Sequence, residues 1–402
     1  MPICFRPQNF KTILILYLID RMEISEYSKI MLDKKDLISR RNFLRNSLLG
    51  FGGLILLPKF DLKLLTLDEW PQGEVLGRNT VYQPSALPIR VKPAVESTIV
   101  RQLQEDEVVI WLREVLGEAP VGRPNKTWVE TPEGYIYAPS LQKVKNIPNT
   151  PVTNLPTLNG ETGMWVEVTV PYVTMEIANP PARAPWLNEV PPARWRLYYS
   201  QVIWVDEIKT ESDGRVLYRL NERYGSYGDI FWADAAAFRV ITPEEIAPIN
   251  PDATDKNVLV NINQQSLTCF EGNNEVYFCK VSTGRKLDEF GSPVDTWATP
   301  AGEHWIWRKL MSLHMSGGGT GAGWDTMCVP WTSLFVGEGV AIHSTFWHND
   351  FGTPRSHGCV NALPEDSKWI FRWTTPQAFY NPGDITNTTY AGTKIKVVEP
   401  LY

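Results

Sequence analysis

The sequence predicts a mainly β chain in several parts: small β modules, then a larger β domain that carries the chemistry. Three observations predict it. Short apolar runs separated by turn residues recur between residues 86 and 248. Sixteen Trp and fifteen Tyr suit compact β modules anchored by large aromatic side chains. Four of the five cysteines and all five histidines lie in the last third, most densely in residues 341–361, AIHSTFWHNDFGTPRSHGCVN. At 402 residues the chain is long enough for two or three domains. A net charge of −6 with no basic stripe argues against nucleic-acid binding, and no RNA-binding motif is present.

The elements follow in order. Ser39, Arg40 and Arg41 precede a short apolar stretch at residues 47–58, SLLGFGGLILLP, which resembles a twin-arginine export signal. The stretch is shorter than the roughly 20 residues a spanning helix needs, and a buried helix with a basic start is the plainer reading. The signal starts late. Met31 and the LDKKDLISRR after it would make an ordinary n-region, so residues 1–30 read as an over-extended gene start. No A-x-A cleavage site follows Pro58, and an uncleaved signal would leave a membrane anchor. Segment 1–58 therefore directs the chain outward, to the cell envelope or extracytoplasmic cell wall.

Residues 59–84 read as a polar linker. Residues 85–148 hold strand candidates at 108–111, 126–129 and 134–137. Strands this closely spaced suggest a small barrel, and the WVETPEGYIYAPSLQ stretch resembles the ending of bacterial SH3-like domains. A Pro/Asn/Thr-rich linker follows at 146–159. Residues 160–248 hold strands at 165–170, 195–205 and 216–220, and the closing DIFWAD echoes the end of the preceding module. They read as a second, divergent SH3-like β module. After a linker at 248–255, residues 256–400 differ. An alternating strand at 258–263 leads into a hairpin turning at 271–274. A glycine loop, HMSGGGTGAGW, spans 314–324, and a strand at 335–343 delivers His343. A helix covers 364–373 and a last strand 394–398.

A thiol and imidazoles in one short segment are the inventory of a cysteine acyl-transfer site. The thiolate is the nucleophile, so Cys359 needs a base or a lowered pKa. His343 and His357 are candidate bases. The carbonyl or hydroxyl of Ser344 is a candidate orienting acceptor. The N–H groups of Gly358 and Cys359 are candidate oxyanion donors. Such a pair is expected to make Cys359 alkylate quickly near neutral pH.

At this point residues 256–400 resemble an L,D-transpeptidase catalytic domain of the YkuD type. The resemblance rests on His343 followed by a small residue, then 15 intervening residues to Cys359 within SHGCVN. The upstream VNINQQSL, KVSTG and TPAGEHWIW stretches are similar and in the same order. It implies a β-sandwich-like domain and acyl transfer on peptidoglycan stem peptides. Cys359 would be the nucleophile and His343 the base, oriented by the Ser344 carbonyl. Ser356, His357 and Gly358 would shape the pocket and oxyanion hole. Asn361, at a position often Arg in the family, would bind a substrate carboxylate or amide. The product would be a 3→3 stem-peptide cross-link, or with water as acceptor the enzyme would be an L,D-carboxypeptidase. The SH3-like modules would bind cell-wall glycan or restrict access to the site. No metal or organic cofactor is expected.

Competing readings use the same residues. Cys359 alone would suit a disulfide or a small buried hydrophobe. Cys269 and Cys279 could pair across their hairpin if the register allowed it. His348, with Asn349 and Asp350, orders the loop or meets substrate. His314 is expected in a mobile lid with the glycine run, which lacks the pattern of a phosphate loop. Zinc ligation by His343, His348, His357 and Cys359 would make a zinc hydrolase, but no i,i+3 or i,i+4 pair appears. A wall-binding protein with an inert C-terminal domain is the non-enzymatic reading.

Overall fold

The second module shares an apolar core with the C-terminal domain, where Trp165, Trp204 and Ile241 meet Met311, Trp331 and Phe371, and the first module's core begins earlier than the sequence suggests. The computed structural model describes residues 67–82, 85–287, 291–317, 324–337, 339–389 and 392–399. The export-signal reading of residues 1–58 and the tip of the glycine run at 318–323 lie outside the described residues. All described residues fall within one compact unit, residues 61–402. Among them no helix is long and apolar enough to cross a membrane.

The first module joins two sheets. Strand Leu76–Asn79 lies between Val108–Ile110 and Leu141–Val144, while Leu87–Arg90 and Gly134–Tyr137 sit near the middle of a five-stranded sheet. Val109, Trp111 and Leu141 meet Ile89, Leu103, Val129 and Ile136 in one core. The expected linker at 59–84 therefore contains a central strand. LGRN reads as linker because its burial is largely polar. Arg78 and Asn79 are buried and hydrogen-bonded, and Gly77 leaves room where Trp111 and Leu141 press in.

The second module is a six-stranded antiparallel sheet with a two-stranded flap, Tyr172–Thr174 with Arg196–Tyr198. The echo between module endings is structural. Gly134–Tyr137, a 3₁₀ turn and Leu141–Val144 correspond to Ile230–Asp234, a 3₁₀ turn and Phe238–Val240. In both, the last strand returns to pair with an early strand of its module. The expected linker at 146–159 is docked rather than free. Ile147 and Asn149 donate to the Thr169 and Ala236 carbonyls, and Thr157–Leu158 pairs with Glu161–Thr162.

The C-terminal domain is β-sandwich-like, as expected. Two five-stranded sheets enclose a core containing Val258, Val260, Phe335, Ile342, Val360 and Ile395. The helix Pro364–Trp373 turns Ile370 and Trp373 into that core, and Pro at its first turn needs no N–H partner. One expected element is corrected. Residues 335–343 are not a single strand but the bend of a hairpin between Trp324–Val336 and Val340–Ser344. Gly337, at φ 50°, takes the left-handed backbone the reversal requires.

Candidate active site

Two parallel strands build the site. Val340–Ser344 pairs with Val360–Ala362 so that His343 lies beside Asn361. Side chains alternate along a strand, so Ile342, Val360 and Ala362 enter the inter-sheet core, while Ala341, His343 and Asn361 take the other face. Cys359, just before the second strand, packs against Ala341, Leu310 and Leu334 on that same face. The register thus places His343 and Cys359, 15 intervening residues apart in sequence, on one face of the sheet.

His343 is 2% exposed, and its Nδ1 lies 2.8 Å from the Ser344 carbonyl. A carbonyl only accepts, so Nδ1 carries the proton and Nε2 keeps its lone pair. Burial pulls the imidazole pKa down to about 4, partly offset by that hydrogen bond. The ring is a neutral base at neutral pH. Of the two acceptors considered for Ser344, the carbonyl fills the role, while its hydroxyl is buried with no partner.

Cys359 is half-buried, and its thiol donates to the Gly339 carbonyl at 3.2 Å. Burial pushes the thiol up to about 11, with the Ala341 N–H opposing the shift. The resting pair is therefore neutral thiol and neutral imidazole. On these shifts Cys359 is expected to alkylate slowly near neutral pH, the opposite of the expectation from sequence. With the thiolate near one part in about 10⁴ at pH 7, alkylation of Cys359 should rise about tenfold per pH unit between pH 7 and 9 without levelling. Peptide mass spectrometry after timed iodoacetamide treatment checks this, and a plateau centred near pH 7 would contradict it.

The SHGC loop is held from both sides. Ser356 N–H and Arg285 N–H exchange backbone bonds across to Thr283 and Ser356, and Thr299 Oγ1 donates to the Gly358 carbonyl at 2.8 Å. A Cβ on Gly284 would fall 2.0 Å from the Trp297 carbonyl, which explains the glycine in KVSTG. Gly358, at φ 123°, needs glycine's freedom. Ser356 Oγ donates to the Cys359 carbonyl at 2.5 Å and accepts from Gly358 N–H at 3.1 Å. That bond occupies one of the two expected oxyanion donors and leaves the Cys359 N–H for the role.

Asn361, expected to bind substrate, is 1% exposed, as buried as His343, and its side chain is engaged in the interior. Its side chain meets His348 Nε2 at 3.0 Å, and His348 Nδ1 accepts from Asp350 N–H at 3.1 Å. The His348 proton then sits on Nε2, and the amide oxygen of Asn361 is the atom that must face it. Both residues order the interior beneath the loop. His357 lies between Trp297, edge-on at 4.4 Å, and Trp324, stacked at 4.6 Å. Burial, then the nearby Arg285, lowers its pKa. These two tryptophans wall the site and were not legible as site residues. Only the adjacent TPAG and glycine-run motifs pointed near them.

The other histidines and cysteines lie elsewhere. His314, expected in a lid, is buried between Glu222, 2.7 Å from Nδ1, and Asp325 at Nε2. His304 bonds the Pro300 carbonyl. Cys269 faces Tyr277 and Cys279 faces Leu267, so they do not oppose one another, and with Cys328 they are buried free thiols. Among the described residues no group of three or more His, Cys, Asp or Glu is placed to hold a metal ion.

The N-terminal module braces this loop. Arg78 donates to the Phe346 carbonyl at 2.8 Å, Asn349 N–H to the Pro139 carbonyl at 3.1 Å, and Asn125 to Asp350 at 3.2 Å. Asp350 is also flanked by Arg123 and Arg355.

No curated protein matches the chain. Among solved structures, the Ldtfm–avibactam carbamoyl enzyme is 20% identical over 37% of this chain and 50% of that one, with a TM-score of 0.28. The alignment thus spans half of that protein. The catalytic domain of an Enterococcus faecium L,D-transpeptidase is 20% identical over 36% of this chain and 98% of its own, with a TM-score of 0.27. An L,D-transpeptidase from Mycobacterium smegmatis is 13% identical over 48% and 98%, with a TM-score of 0.28. Residues 255–397, which hold Cys359, His343 and the loop between them, match the YkuD family, the L,D-transpeptidase catalytic domain.

Proposed function

We propose that the protein is a peptidoglycan L,D-transpeptidase that works through a cysteine acyl-enzyme and forms 3→3 cross-links between stem peptides. The observation that carries this is the His343 tautomer. Its Nδ1 is committed to the Ser344 carbonyl, leaving Nε2 as a free neutral base on the face that holds Cys359. In the reaction, Cys359 Sγ attacks the carbonyl of the third stem residue as its proton passes to His343 Nε2. The Cys359 N–H stabilises the oxyanion. His343 returns the proton to the departing D-amino acid. A second stem's side-chain amine then attacks the thioester and restores the thiol. Because both partners start neutral, deprotonation accompanies attack instead of preceding it. His357, Trp297 and Trp324 form the substrate walls.

The partners on this reading are stem peptides and, through two SH3-like modules, the glycan. The twin-arginine-like segment exports the protein to the cell envelope. The test is mass spectrometry of a disaccharide-tetrapeptide incubated with the full chain. Loss of the terminal D-amino acid together with a 3→3 linked dimer is expected. Loss of that residue without a dimer would replace transfer by hydrolysis, and an unchanged substrate would overturn the reading.

A further inference from the structure

A cavity of about 350 Å³ lies where both N-terminal modules meet the catalytic domain, within the range of small-ligand sites. Its apolar surface comes from Trp186 and Val190 of the second module and Met327 and Phe346 of the C-terminal domain. Tyr82 of the first module, 52% exposed, stands at the rim. The cavity is separate from the thiol but adjoins its walls by two routes. The Phe346 ring lies 4.9 Å from Trp347, whose ring lies 5.7 Å from His343. Asp325, also in the lining, follows Trp324, which stacks on His357.

The charges in the lining decide what the cavity takes. Arg194 is paired with Glu105, Arg196 with Asp106 and Asp325 with His314. Gln201 spends its amide on the Met327 carbonyl and the Tyr198 N–H. Each charged group named is thus already matched, so a ligand's carboxylate or ammonium would have to break a pair to gain one. The paired groups keep further donor and acceptor positions, since a guanidinium has five N–H groups and a carboxylate about four lone-pair sites. Apolar and aromatic surface beside fixed, charge-balanced donors and acceptors suits an uncharged ligand rich in hydroxyl and amide groups.

We infer that this cavity binds an N-acetylated hexosamine segment of the glycan strand whose stem peptide enters the catalytic pocket. The inference rests on the acyl-transfer reading for its choice of strand. The modules then position the polymer as well as bracing the loop. The test titrates full-chain Cys359→Ala, which cannot turn substrate over, with tri-N-acetylchitotriose by calorimetry. Turnover of the disaccharide-tetrapeptide by the unmodified chain is measured in parallel. Saturable binding is expected, weakened at least tenfold by Trp186→Ala and by Val190→Trp, with thermal melting of each variant compared first. Maltotriose, which lacks acetamido groups, should bind at least tenfold more weakly. Absent binding, binding unchanged in a folded variant, or equal binding of maltotriose overturns the inference. Turnover without saccharide binding removes the cavity site and leaves the acyl-transfer reading intact. Variant-sensitive binding without turnover does the opposite.

Discussion

Cys359→Ala should release no D-amino acid from a disaccharide-tetrapeptide, a loss of at least about 10⁴-fold, while the protein stays folded. The two halves of this expectation have separate causes. Cys359 is half-buried, and its thiol makes one hydrogen bond, to Gly339. Removing one sulfur from such a position costs on the order of 1 kcal/mol, too little to unfold a domain with this core. The SHGC loop also keeps its remaining supports, Thr299 to Gly358 and Ser356 to the Cys359 carbonyl, because neither uses the sulfur. Lost turnover in a protein with an unchanged melting profile would therefore report chemistry. Cys359→Ser should be nearly as inactive, because a hydroxyl is a weaker nucleophile for a neutral base to activate. His343→Asn should keep the polar contact to Ser344, since its amide nitrogen takes the place of Nδ1, yet lose about 10²–10⁴-fold, the usual worth of a positioned base. Measurable turnover in Cys359→Ala would move the nucleophile elsewhere and end the mechanism.

What could be read from the sequence divides by the range of the interactions. The helix at 364–373 and the last strand at 394–398 appear where the periodicity placed them, since local pattern governs both. That His343 and Cys359 share one face was within reach of the sequence because both lie in one segment. Strand Leu76–Asn79 was not, since Arg78 is buried by bonding a carbonyl 268 residues away. The tie of Asn361 to His348 was hidden for a related reason, because the two lie 13 residues apart in sequence. The walls Trp297, at the end of a 3₁₀ turn, and Trp324, at the start of a strand, are distant in sequence and both pack on His357. Motifs point to candidate residues, and their supports are tertiary.

Asp106→Ala should destabilise the protein by about 3–5 kcal/mol and lower turnover although no substrate touches the residue. Asp106 is buried and receives Arg78 through one oxygen and Arg196, at 2.7 Å, with Tyr198 OH, at 3.2 Å, through the other. Arg78 is itself fully buried, lies 3.9 Å over the Tyr198 ring and bonds Gln142. Deleting the single acid leaves two guanidinium groups facing each other with no anion between them, the costliest way to break a buried ion pair. One module supplies Asp106 and Arg78, the second supplies Arg196 and Tyr198, and the catalytic loop accepts through Phe346 O. The joint therefore fixes the segment three residues beyond His343. Loosening it should lower kcat more than it raises KM, because the thiol and imidazole would be misaligned while the Trp297 and Trp324 walls remain. Arg78→Lys should not rescue, since an ammonium cannot span Gln142, Asp106 and Phe346 as the planar fork does. Arg113→Ala, which removes a pair on the exposed face of the same module, should leave urea midpoint and turnover unchanged. Equal behaviour of Asp106→Ala and Arg113→Ala in urea unfolding would show that the joint carries no stability, and unaltered kcat in Asp106→Ala would show that the modules do not hold the loop.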